Sequence, residues 1–205
     1  MTENSQSALS GSFALVSYIP DPLASALHGF RERLPGEESP QPHITILPRR
    51  LLSISVEEAS AQCRKLLTDF CEFGVALGAV RTFPSTNVLY LDLSEGASQV
   101  HRLHDALSTG ELQQEEEFEF RPHLTLSGYV NEEDLSSVQK QAEEIWRDLD
   151  VSKTFVLSEV VGLWLQPEAG SAGWQRLWSQ PLRSRVRAAY AGLPVSPDPI
   201  ADQKC

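Results

Sequence analysis

The spacing of apolar residues changes period along the chain and predicts a regular series of elements. Phe13 to Ile19 (FALVSYI) is a short apolar run of strand length. Asp21-Pro22 supplies a helix cap and a proline at the first helical position, and Leu23, Leu27, Phe30 and Leu34 follow at helical spacing. His43 to Leu47 (HITIL) predicts a second strand. Ser55-Val56-Glu57-Glu58 fits a capping box, and Val56, Ala59, Cys63, Leu66, Leu67 and Phe70 make one helical stripe. Val75 to Phe83 predicts a third strand.

The second half repeats the series. Val88 to Leu93 alternates like a strand, and Val100, Leu103, His104 and Leu107 mark a helix. Arg121 to Tyr129 predicts a strand, and Leu135, Val138, Ala142, Ile145 and Trp146 mark another helix. Phe155 to Leu165 is a long β-rich run, followed after Gly170 to Gly173 by a last strand at Trp174 to Leu182. The expectation is one domain over 12–192 with repeat lobes at about 13–83 and 88–165, closing strands to 182, and loose tails at 1–11 and 193–205. A chain of this length buries enough surface to fold without disulfides or metal.

Charge narrows the partners. Seventeen Lys+Arg against 28 Asp+Glu give a net charge of −11, which argues against a broad groove tracking the phosphates of a long duplex. It leaves room for a nucleotide or a single RNA end in a local site. No apolar run reaches the length of a membrane span, and the start MTENSQSALSGS lacks the pattern of a secretory signal. With three cysteines and no C-x-x-C, the expectation is a cytoplasmic monomer with reduced thiols.

The chemistry lies in the two middle strands. Pro42-His43-Ile44-Thr45-Ile46 and Pro122-His123-Leu124-Thr125-Leu126 share one pattern, 80 residues apart. Side chains alternate along a strand, so His and Thr share one face while Ile44 or Leu124 points to the other. Five His and eight Thr would give about 0.2 His-x-Thr triplets by chance, so one is weak evidence and two matched copies are not. Two histidines suit acid–base chemistry at phosphorus: one takes a proton from the nucleophile, the other gives one to the leaving oxygen. Threonine hydroxyls beside them donate to the non-bridging oxygens. No metal or cofactor is needed, and neither a Walker loop nor G-x-G-x-x-G occurs.

These motifs resemble those of the two-histidine (2H) phosphoesterase superfamily, which includes the 2'-5' RNA ligase-like proteins. Its hallmark is a pair of H-x-[ST]-hydrophobic motifs, matched at His43/Thr45 and His123/Thr125. FRPHLTLSGY (Phe120 to Tyr129) looks like the second motif, and VGLWL from Val161 with GWQRL from Gly173 resembles the closing strands, over about residues 13–182. The resemblance implies a bilobal α+β fold of antiparallel-rich sheet, with outer helices around a central cleft. It also implies a cyclic phosphodiesterase that opens 2',3'-cyclic nucleotide or RNA ends to 2'-phosphates, with reversible 2'-5' joining in some members. Which histidine is acid and which is base stays open. A nucleotide-binding module of the same fold, without turnover, is the alternative.

Other residues carry weaker signals. Tyr129, Tyr18 and Trp164 offer rings for base stacking, Tyr129 first because it follows the second motif on one strand, and Arg121 offers a phosphate or ribose contact. Arg49 and Arg50 offer the same contact, with surface solvation the default for each; Arg176, Arg183, Arg185 and Arg187 make a basic cluster that reads as an RNA-facing edge or, by default, a solvated face, and Glu115 to Glu117 read as a solvated loop. His101 and His104 form an H-x-x-H, but His104 shares the apolar stripe and no third ligand stands nearby.

Overall fold

A computed structural model describes residues 11–35, 40–165 and 173–184; the expected tails lie outside these apart from Gly11. The predicted elements form, in the predicted order. They are β1 (Ser12–Tyr18), α1 (Leu23–Arg31), β2 (His43–Leu51), α2 (Val56–Leu67), β3 (Phe73–Thr82) and β4 (Val88–Glu95). They continue with α3 (Ala97–Leu107), β5 (His123–Tyr129), α4 (Glu132–Asp148), β6 (Thr154–Leu157), β7 (Glu159–Leu165) and β8 (Trp174–Pro181). The capping box at α2 is complete: the Ser55 hydroxyl accepts from Glu58 N–H, and the Glu58 carboxylate accepts from Ser55 N–H. At α1, Pro22 occupies the cap position itself, and Asp21 reaches past it to accept from the Ser25 N–H.

The strands make two four-stranded antiparallel sheets, in the orders β2-β1-β7-β8 and β5-β4-β3-β6. The sheets therefore do not coincide with the sequence repeats at 13–83 and 88–165. β3 closes the first repeat yet pairs with β4 and β6, while β7 closes the second repeat yet lies between β1 and β8. The β-rich run that reads as one strand is two, divided at Ser158, with β6 in one sheet and β7 in the other. Burial shows why they divide. β6 alternates exposed and buried residues, as an edge strand does, while β7 is almost wholly buried between neighbours.

The helices complete the exchange. α1 packs on β5 and α4 on β3, whereas α3 packs on β2 and β4 and α2 on α3. Each sheet is covered partly by a helix from the other half of the sequence. One continuous core results, running from Phe13 and Leu15 through Ile44, Leu67 and Leu91 to Leu124, Ile145 and Val160. Trp146 on α4 stacks on Phe30 of α1 and donates its indole N–H to the Gly78 carbonyl at 2.7 Å. Cys63 is a buried free thiol that burial pushes up to about 12. Among the described residues no helix is long and apolar enough to cross a membrane.

Ile44 and Leu124 are 0% exposed, directly behind the two motif faces. Ile44→Ala and Leu124→Ala are each expected to lower unfolding stability by about 2–5 kcal/mol, measured by urea titration. A loss well under 1 kcal/mol would contradict this account of the core.

Candidate active site

β2 and β5 carry the two motifs, and both are edge strands: β2 pairs with β1 alone and β5 with β4 alone. Their burial patterns match residue for residue. His43, Thr45, His123 and Thr125 are half-buried, while Ile44, Ile46, Leu124 and Leu126 are buried in the core. The two strands lie against each other across the sheets, close enough for the His123 charge to act on His43.

The histidines are held alike. His43 Nδ1 lies 2.7 Å from the Gln41 carbonyl, and His123 Nδ1 lies 2.7 Å from the Arg121 carbonyl. A carbonyl only accepts, so the hydrogen sits on Nδ1, and the neutral ring keeps its lone pair on Nε2. Each acceptor belongs to the residue two before the histidine, so the local turn into the strand orients the ring.

Both imidazoles titrate below the usual histidine range. For His43 the main cause is burial; the Arg31 and His123 charges also lower it, and the hydrogen bond to Gln41 partly offsets this. For His123 burial again dominates, with Arg121 lowering it further and its carbonyl bond opposing. Phe83 and Tyr90 stack on each other at 4.0 Å and both present ring edges to His123. Tyr18, paired with His43 across β1 and β2, meets that imidazole edge-on at 6.1 Å.

Beside the motifs opens a cleft of about 670 Å³, lined by Thr45 and His123, by Arg49, Arg50 and Arg121, and by Phe83 among others. That volume is in the range of small-molecule sites. Arg121 is exposed at the cleft, one nitrogen 3.3 Å from the Tyr90 hydroxyl. Tyr129 sits at the far end of β5, 67% exposed and away from the cleft lining. Trp164 packs against the hydrophobic core from β7, where Phe13 and Gln175 flank it.

Two charged groups differ from their sequence reading. Arg50 is 2% exposed and bonds the Glu116 carboxylate at 2.6 Å and the Ser108 hydroxyl at 3.1 Å. Glu116, within a run read as solvated loop, also meets His104 Nε2 at 3.4 Å. His104 lies flat on Phe120 at 3.8 Å, with Nδ1 near the Ile46 carbonyl. This cluster fixes the segment 114–121 as one cleft wall. Only the odd position of one glutamate among exposed ones separates Glu116 from its neighbours, and sequence holds no sign of its partner. Arg176 lies 3.8 Å from Glu159, and Arg185 and Arg187 lie outside the described residues.

Because both imidazoles titrate below their unfolded value, the unfolded chain binds more protons once the pH drops under about 6.5. The stability linked to them is present above that value and is lost as pH falls toward the folded midpoints. Proton NMR should place both midpoints below about 6.5, and His43→Gln/His123→Gln should lose less stability than wild type between about pH 7.5 and about pH 5. Midpoints above the free-histidine value would reverse the sign and contradict the burial argument.

Comparison with known proteins agrees with this fold. The family model of the 2'-5' RNA ligase superfamily matches residues 19–168. E. coli LigT complexed with 3'-AMP is 14% identical, with a TM-score of 0.60 over 85% of this chain and 99% of that one. TT0787 of Thermus thermophilus is 18% identical with a TM-score of 0.57, again over 85% of this chain and 99% of that one. Kluyveromyces marxianus Usb1 is 12% identical with a TM-score of 0.60 over the same shares. No curated protein matches the chain. At these identities the solved structures speak for the fold, and the family match together with that fold establishes membership: the chain belongs to the 2'-5' RNA ligase superfamily, the two-histidine phosphoesterases.

Proposed function

We propose that the protein is a metal-independent cyclic phosphodiesterase, with His43 and His123 as the acid–base pair and Thr45 and Thr125 as hydrogen-bond donors to the phosphate. The observation that carries this reading is the matched anchoring of the two imidazoles. Each is tied through Nδ1 to a carbonyl two residues back, which leaves Nε2 as the working atom on both sides of one site.

On a 2',3'-cyclic phosphate, one neutral imidazole takes a proton from water as the water oxygen bonds to phosphorus. The P–O3' bond breaks, and the other histidine, as imidazolium, gives its Nε2 proton to the departing 3'-oxygen. The product is a 2'-phosphate with a free 3'-hydroxyl, and the two histidines have exchanged roles. A bound phosphate anion favours the imidazolium, which offsets the burial that holds both rings neutral in the free protein. The same step with a 5'-hydroxyl in place of water joins two RNA ends by a 2'-5' bond. We assign substrate contacts to Arg121 at the cleft and to Tyr18 beside His43; Tyr129 and Trp164 do not line the cleft.

The test is product analysis by phosphorus NMR with the four 2',3'-cyclic nucleotides and EDTA present. Wild type should form 2'-phosphates with a bell-shaped pH dependence, and His43→Ala and His123→Ala should each fall by about 10² or more. Binding without turnover in wild type would favour the non-catalytic module instead. A flat pH profile would remove histidine acid–base chemistry from the account.

A further inference from the structure

Arg31 ends α1 and is 8% exposed, in the gap between the two motif strands. One guanidinium nitrogen donates to the Pro40 carbonyl at 2.7 Å, three residues before His43. The other terminal nitrogen donates to the Thr125 carbonyl, inside the second motif. Its Nε is buried with no hydrogen-bond partner, and among the described residues no carboxylate pairs with the group. An unpaired buried cation is costly, and desolvation lowers this guanidinium to about 10.

The other half of the fold has a counterpart brace without that cost. His104 on α3 reaches the Ile46 carbonyl on β2, and its second nitrogen faces the Glu116 carboxylate. Each motif strand thus has a carbonyl held by a side chain from a helix of the other half. Only the Arg31 brace carries an uncompensated charge, and it lies close enough to His43 to act on its titration.

We propose that Arg31 is a positioning residue that ties the segment entering the first motif to the backbone of the second, fixing the separation of His43 and His123. The proposal rests on the catalytic reading above. A planar fork with two donors spans two carbonyls at a set distance, which a lysine ammonium does not reproduce. The charged or titratable groups that face His43 are Tyr18 from β1, Arg31 from α1 and His123 from β5. No carboxylate acts on its titration, so removal of Arg31 is expected to move His43 in one direction.

The experiment compares wild type, Arg31→Lys and Arg31→Met by proton NMR titration of both histidines and by kinetics on 2',3'-cyclic nucleotides. Arg31→Met should raise the His43 midpoint by about half a pH unit or more and shift the acid limb of the pH profile with it. Its kcat should fall about tenfold or more, with KM changed far less. Arg31→Lys should keep the His43 midpoint near wild type and still lose kcat, because it keeps the charge and loses the fork. A folded Arg31→Met whose midpoint and kcat match wild type, with only a lower Tm, would overturn the proposal. If Arg31→Met does not fold, wild-type kcat in Arg31→Lys overturns it instead. Should wild type turn over no cyclic nucleotide, the catalytic reading fails on its own, and an unmoved His43 midpoint separately refutes the role given to Arg31.

Discussion

Two sheet edges meet at the centre of this protein, and the backbone groups along those edges govern much of what surrounds them. β2 and β5 each have a strand partner on one side only. Buried carbonyls without partners are costly, so an edge turned inward must be satisfied by something other than another strand. Here Arg31 takes the Thr125 carbonyl and His104 faces the Ile46 carbonyl, each from a helix of the opposite half. The edges thus lie side by side without fusing into one sheet. Thr45 and His123 line the cleft beside them.

The exchange of elements serves the same end. Because β3 and β7 cross into the opposite sheets, and α1 and α3 cover the opposite strands, neither half buries its apolar surface alone. The single core that follows makes the spacing of the motifs a property of the whole chain. Close packing resists small displacements, so catalytic groups carried on strands with a filled core behind them keep their separation better than groups on loops.

Charge is distributed unevenly around that centre. The protein is strongly acidic, and the cleft mixes both signs: Arg49, Arg50 and Arg121 line it together with Glu115, Glu116, Glu117 and Glu119, while Arg31 bonds carbonyls at both motif strands. Arg50 is compensated by Glu116 and serves the cleft wall; Arg121 is open to solvent.

Much of this was legible in the residue order. The repeated Pro-His-x-Thr, the alternation behind it, the Ser55–Glu58 box and the helical stripes depend on neighbours within a few positions, where backbone geometry ties sequence spacing to facing direction. The crossing at Ser158 was not legible, since β6 and β7 are both β-rich and only the register with distant strands separates them. Nor were the roles of Glu116 and Arg31. Glu116 sits among exposed glutamates and Arg31 at the end of an ordinary amphipathic helix; their partners are 66 and 94 residues away. Sequence by itself determined which side chains share a face and so which chemistry the strands present. Tertiary structure alone decided which faces meet and which charges are buried, because those depend on contacts between residues whose separation along the chain carries no pattern.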